Sequence, residues 1–219
     1  MERFPMPPTF LEMAIQHFDR ALRTVAGVPQ EGPDNRSAPA VETPQGPGPG
    51  SGEARHIGRL MRVNYAGEVA AQGLYWGQGL TARTPEVAEK MDRAAREEQD
   101  HLNWCIRRMD ANGVGPSVLN PLWLAGSLSL GAVAGFAGDR WSLGFVAETE
   151  RQVMHHLQGH LARLTDSDPA TRAVVEQMYL DERSHAEWAE EAGGERLPLP
   201  VRAAMIASSK FLTTGSYWV

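Results

Sequence analysis

Two short stretches of this 219-residue chain carry the same pattern of residues able to do chemistry. Glu98, His101 and Trp104 stand in EEQDHLNW, and Glu182, His185 and Trp188 stand in DERSHAEW, so each stretch reads E-x-x-H-x-x-W. On a helix, a Glu and a His three positions apart project from one face and can reach one metal ion or two adjacent ones. One E-x-x-H is common by chance, whereas two copies, each set in an apolar row, are not. The first row is Val87, Met91, Ala94, Glu98, His101 and Cys105; the second is Val175, Met178, Glu182, His185 and Ala189. Both step by three or four, so carboxylate and imidazole face wherever the apolar residues face. Glu97 falls off its row and reads as a solvated neighbour, and Trp104 and Trp188 read as core packing.

Each motif is preceded by a row with a lone glutamate in the corresponding place. Ile57, Met61, Asn64, Glu68, Ala71 and Tyr75 form one such row, and Val146, Glu150, Val153, Leu157 and Leu161 form the other. Glu148 lies two residues from Glu150, about 200° around a helix with 3.6 residues per turn, so Glu150 belongs to the row and Glu148 does not. The separations match, 30 residues from Glu68 to Glu98 and 32 from Glu150 to Glu182. The chain is thus two copies of helix–Glu followed by helix–E-x-x-H. A carboxylate at a core position is costly unless it is paired or bound to metal. Four carboxylates and two divalent ions make a neutral set, and carboxylate and imidazole suit iron or manganese without help from Cys105. The six residues resemble the ligand set of ferritin-like carboxylate bundles, with one Glu from each of two helices and Glu-x-x-His from each of two others. The competing reading is a bundle with buried salt bridges in which both histidines are satisfied core residues. His155, His156 and His160 cluster near Glu150, and of these only His156 or His160 leans toward the core.

Positioning six such groups requires an all-α fold, and the pattern supplies one. Helices are expected at roughly 53–81, 85–112, 120–137, 140–165, 169–192 and 199–212, with Pro85, Pro121, Pro169 and Pro200 near helix starts, where a missing N–H matters least. Residues 1–28 form an N-terminal amphipathic helix, with Leu11, Ile15, Phe18, Leu22 and Val25 at helical spacing. Residues 29–52 are dense in Pro and Gly and read as a flexible linker. Nothing in that linker is expected to pack or ligate, so its removal should leave metal binding intact. Residues 53–219 are expected to form the ferritin-like domain that carries the six candidate ligands. Within it Leu122 to Gly138 is an apolar insert at the short edge of what can span a bilayer. It is either a buried helix lying across the bundle or an element that contacts membrane. Gly131, Gly135, Ala134 and Gly138 permit close helix packing there. The formal net charge of −6 gives no basic field for nucleic acid. A single cysteine fits a reducing compartment, and no secretory signal is legible.

Four segments make the chain resemble the demethoxyubiquinone hydroxylases: RVNYAGEVAAQGLY around Glu68, EEQDH at Glu98 and His101, ETERQVMHH after Glu148, and DERSH at Glu182 and His185. The likeness runs from about His56 to the C-terminus. It implies a ferritin-like di-iron monooxygenase of ubiquinone biosynthesis with Glu68, Glu98, His101, Glu150, Glu182 and His185 as ligands. It also implies two iron ions per chain, dioxygen as co-substrate and reducing equivalents ultimately from NAD(P)H. The implied substrate is 2-polyprenyl-3-methyl-6-methoxy-1,4-benzoquinol, reached by a peripheral protein on the cytoplasmic face of the inner membrane. The apolar insert and the C-terminal helix would meet that membrane. Contacts with other ubiquinone-biosynthesis proteins and a homo-oligomer fit the same picture. From other classes, an iron-storing ferritin-like protein or a structural bundle in a lipid-synthesis complex would carry the same ligand rows.

Overall fold

The computed structural model describes residues 10–30, 36–39, 50–164 and 167–219. These fold into helices throughout, with no strand among them: α1 (Phe10–Ala26), α2 (Gly52–Thr81), α3 (Pro85–Ala111), α4 (Asn120–Phe136), α5 (Asp139–Leu161), α6 (Pro169–Glu191) and α7 (Leu199–Trp218). The expected linker residues 31–35 and 40–49 lie outside the described residues, as do residues 1–9 and the side chain of Leu11.

Specific contacts fix the direction of each helix. The Gln72 amide donates to the Ala95 carbonyl, and Gly58 abuts Asn112, so α3 runs antiparallel to α2. Arg108 near the end of α3 pairs with Asp168 at the start of α6, and Lys90 near the start of α3 lies 5.1 Å above the Trp188 ring late in α6. α6 is therefore antiparallel to α3. Gln78 late in α2 donates to Ser142 early in α5, so α5 runs antiparallel to α2 and in the same direction as α3. Both motif helices thus meet in the middle of one four-helix bundle, α2, α3, α5 and α6.

The apolar insert, α4, is what lets α5 start at the same end as α3. It runs parallel to α2 in backbone contact with it. A Cβ on Gly73 would fall 2.5 Å from the Leu124 carbonyl, one on Gly77 would fall 2.6 Å from the Ala132 nitrogen, and one on Gly135 would run into Thr81. Small residues four apart therefore permit the close approach, as their spacing leads one to expect. α4 lies against the outside of the bundle: Trp123 and Leu124 are buried, while Leu122, Leu130, Val133 and Phe136 are exposed. No helix among the described residues is long and apolar enough to cross a membrane.

Two boundaries differ from the sequence expectation. α5 stops at Leu161 rather than 165, with Arg163 and Leu164 turning back onto the His160 carbonyl. α7 continues past 212 to Trp218, because Ser216 is buried and accepts a hydrogen bond from Trp123 Nε1 at 2.9 Å.

The core explains where polar residues can sit. One apolar cluster gathers Ile57, Met61, Leu102, Met109, Leu157 and Met178 toward one end. Another gathers Tyr75, Val87, Met91, Leu143 and Val146 toward the other. The carboxylates and imidazoles of the two motifs form the band between them.

Part of the proline-rich stretch packs on this bundle, contrary to the expectation that nothing in it would. The Gln30 backbone N–H donates to Asn103 Oδ1 at 3.1 Å, and its carbonyl accepts from Asn103 Nδ2 at 2.6 Å. Trp104 Nε1 donates to the Arg36 carbonyl at 3.0 Å, and Ala38 packs against the larger apolar cluster. Composition predicts a low density of such contacts, not their absence at individual residues.

Candidate metal centre

Glu68 comes from α2, Glu98 and His101 from α3, Glu150 from α5, and Glu182 and His185 from α6; all six are buried. They converge as two overlapping groups. Glu68, Glu98, His101 and Glu182 form one, and Glu150, Glu182 and His185 form the other, each with one ligand atom per residue within 4.8 Å of the rest. Two carboxylates stand between the imidazoles. Glu98 Oε2 lies 2.7 Å from His101 Nδ1 while its Oε1 lies 2.9 Å from His185 Nδ1. Glu182 reaches the same two nitrogens at 3.2 and 3.3 Å. Glu68 Oε2 sits 4.0 Å from His101 Nδ1. Glu150 accepts a hydrogen bond from the Tyr75 hydroxyl.

Of the four approaches between these carboxylates and the two Nδ1 atoms, only His185 Nδ1 to Glu182 Oε2 has hydrogen-bond geometry. Both oxygens of Glu98, His101 Nδ1 and Glu182 Oε1 are buried with no hydrogen-bond partner of acceptable geometry. Buried polar atoms in native proteins nearly always find partners, so a cluster of orphans calls for a ligand. Lone pairs of carboxylate and imidazole converging on common points fit divalent cations of the iron and manganese kind, and four carboxylates balance two of them.

The electrostatics agree with that fit. Burial, reinforced by the charges of Glu182 and Glu98, pushes the Glu68 carboxyl well above the usual range, and the same causes raise Glu150. Burial opposes a charge on His101 and His185, yet Glu98 and the carboxylates bonded to the rings outweigh it and push both up. Glu98, although buried, is held below the ordinary carboxylate range by the two imidazoles. Without cations, the cluster holds protons where a metal centre would hold ions.

The far nitrogen of each imidazole is also fixed. His101 Nε2 lies 2.9 Å from Asp181 Oδ2, and His185 Nε2 lies 3.2 Å from Glu97 Oε2. An ionised carboxylate can only accept, so each Nε2 carries a proton, and a ring that gives up its second proton turns the Nδ1 lone pair toward the centre. The acid preceding one motif's glutamate thus serves the other motif's histidine. Glu97, which the sequence places among solvated neighbours, is half-buried in this role, and Asp181 escapes the row analysis altogether. The signal that could have found them is the acid immediately before each Glu, in EEQDH and DERSH alike.

The remaining candidates fall into place around the six. Glu148 turns away from the centre, accepting from Arg202 at 2.9 Å and from Gln152 at 2.9 Å. His155 is exposed. His156 and His160 stack edge to face at 4.0 Å between centroids. Burial, with Arg163 nearby, pulls His156 down to about 4.

A cavity of about 530 Å³ opens between α2, α4, α5 and α7 and reaches Glu68 at its inner end. Its walls are mostly apolar, including Val63, Trp123, Phe145, Leu157 and Leu212, with Leu122, Leu130 and Phe211 exposed at its rim. The polar exceptions include Asn64 Oδ1 and His156 Nε2, both buried without partners.

Comparison with known proteins accords with this geometry. Residues 55–216 match the model of the family described as ubiquinone biosynthesis protein COQ7. A 3-demethoxyubiquinol 3-hydroxylase of Cupriavidus taiwanensis is 52% identical over 210 residues, covering 94% of this chain and 99% of that protein. Proteins of the same name from Nitrosococcus oceani and Acinetobacter baylyi are 50% and 49% identical, covering 95% and 96% of this chain and 96% and 98% of theirs.

Proposed function

The chain belongs to the ubiquinone biosynthesis protein COQ7 family, and on that premise we propose that it is a 3-demethoxyubiquinol 3-hydroxylase. In this reading it inserts one atom of dioxygen into the ring of 2-polyprenyl-3-methyl-6-methoxy-1,4-benzoquinol. The second oxygen atom leaves as water, so each turnover takes two electrons and two protons, the electrons drawn ultimately from NAD(P)H. Held by Glu68, Glu98, His101, Glu150, Glu182 and His185, two ferrous ions would supply the electrons that reduce dioxygen.

The observation that carries the reading is the apolar cavity that ends on Glu68. A cavity of this size suits a small organic ligand. Its apolar walls would accept the start of a polyprenyl tail and keep water from the reacting ring. Asn64 Oδ1 and His156 Nε2 offer acceptors to quinol hydroxyls, and the low pKa of His156 keeps its ring neutral and able to accept. Tyr75 donates to Glu150 and so limits the directions in which that carboxylate can turn. An iron-storing bundle has no use for such a cavity.

The exposed apolar residues of the two helices that wall the cavity on its outer side support a site of action at the bilayer surface. Leu122, Leu130, Val133 and Phe136 of α4 and Leu199, Ile206, Phe211 and Trp218 of α7 are all exposed, an apolar patch that a polar solvent does not favour. Peripheral attachment at the cytoplasmic face of the inner membrane would let a polyprenyl quinol enter the cavity from the bilayer, and a second copy of the chain or other proteins of the pathway would find room beside it.

The test is direct. Iron-loaded protein, the demethoxy-quinol, a reductant and ¹⁸O₂ should yield a hydroxylated ring carrying one heavy oxygen by mass spectrometry. Oxidation of ferrous iron to a ferric mineral, with the ring unchanged, would overturn the reading in favour of storage.

A further inference from the structure

Behind the two imidazoles the centre is not symmetric. Glu97, which accepts from His185, has a side chain 35% exposed and pairs with no Lys or Arg among the described residues. Asp181, which accepts from His101, is held from three sides. Arg36 Nη2 donates to its Oδ2 at 2.9 Å, the oxygen that also accepts from His101, and Gln177 donates to its Oδ1 at 2.9 Å. Arg36 Nε also reaches Asp100 Oδ2 at 3.3 Å, where the carboxylate is 2% exposed. The guanidinium lies 5.1 Å above the Trp104 ring, whose indole N–H holds the Arg36 carbonyl, and that same ring packs 5.3 Å from His101.

We propose that Arg36 is a positioning residue of the metal centre: through Asp181 it sets the His101 ring, so that the segment before the bundle makes the His101 half of the centre the tighter of the two. The physical reason is freedom. A carboxylate with one partner can rotate and let its imidazole tilt, whereas one held by a guanidinium and an amide cannot, and a ligand fixed beforehand loses less entropy on binding. A fork that bridges Asp181 and Asp100 while stacked on Trp104 is a role for arginine that lysine fills only in part.

The inference rests on the two-metal reading of the cluster and is independent of the substrate. Its test is anaerobic titration of metal-free protein with Co(II), read by its visible absorption, with far-ultraviolet circular dichroism as the check on folding. Wild type should bind two ions; if it does not, the two-metal reading itself fails. Arg36→Ala should weaken one ion about tenfold or more and leave the other within about twofold. The assignment to a half comes from single-site backgrounds. Arg36→Ala should weaken the remaining ion in His185→Ala protein and change nothing in His101→Ala protein. Equal weakening of both ions at unchanged helicity, or no weakening of either, overturns the proposal. Should Arg36→Ala lose helicity, Arg36→Lys is read in its place. It is expected to weaken the same ion severalfold, and an unchanged affinity there would equally overturn the proposal.

Discussion

Two glycines one half-turn apart on α2 should respond oppositely to the same substitution. A Cβ on Gly77 would stand 2.6 Å from the Ala132 nitrogen and closer still to the Leu128 carbonyl, both backbone atoms of α4. Neither can rotate away, so α4 must retreat by about 1 Å to restore van der Waals distance, a form of overpacking that costs about 1–3 kcal/mol. A Cβ on Gly79 would meet Met91 Cβ at 3.5 Å, an ordinary contact. There the gain in helix propensity, up to about 1 kcal/mol, stands unopposed. At about 2–4 °C per kcal/mol for a chain of this size, Gly77→Ala should melt roughly 2–12 °C lower than the parent, and Gly79→Ala no lower. Because α4 walls the cavity and supplies no ligand, metal content at room temperature should be unchanged in both, while quinol turnover should fall in Gly77→Ala alone. Equal melting temperatures for the two variants would refute the backbone-to-backbone docking of α4 on α2 and, with it, the origin of the cavity.

Three other outcomes follow from the centre and its surroundings. Glu182→Ala, which removes a member of both groups, should bind far less iron by elemental analysis, whereas Glu148→Ala, which breaks contacts with Arg202, Arg151 and Gln152 and none with the six, should keep close to the parental amount. Metal loading should release about two to four protons per chain, measured by calorimetry in buffers of different ionisation enthalpy, because raised Glu68, Glu150, His101 and His185 must deprotonate to ligate. For all four the folded pKa lies above the unfolded value, so their protonated forms favour the metal-free fold below the unfolded pKa values and that support is lost as pH rises; the affinity for metal should rise over the same window. Val133→Asp, at a residue 66% exposed on α4, should leave melting and iron content unchanged while reducing co-sedimentation with lipid vesicles.

Much of this was legible because the signals were periodic. The three-residue spacing of Glu98 to His101 and of Glu182 to His185, the steps of their rows and the choice of Glu150 over Glu148 all depend on helical phase alone, and the six residues chosen that way are the ones that meet. The helices that carry them could be placed from proline and glycine punctuation to within a few residues. What periodicity cannot reveal is a partner supplied by another helix. Asp181 and Glu97 each sit one residue before a ligand, about 100° off their own row, and only the packing of α3 against α6 turns each toward the opposite histidine. Arg36 was less visible still. A stretch rich in proline and glycine lacks the apolar surface to fold alone, but one guanidinium can dock it onto a face that a buried acid, Asp100, and a half-buried one, Asp181, have prepared.

The duplicated helix–Glu, helix–E-x-x-H plan would, on its own, build a centre with two equivalent sides. Two additions break the equivalence, and they do so on different faces. α4, inserted between the halves, runs beside α2 and not beside α6, so the cavity it walls with α7 opens on Glu68, while Glu150 is met by Tyr75 instead. The N-terminal segment crosses α3 and fastens on Asp181, stiffening the ring of His101 and leaving that of His185 to the looser Glu97. His101 and Glu68 belong to the same ligand group, so the group open to the cavity is also the one held most firmly from behind. A centre with one firm position facing the cavity and one more adaptable neighbour suits the proposed hydroxylation, in which the organic ring must stay in register. That division of labour comes from the additions to the repeat and not from the repeat itself.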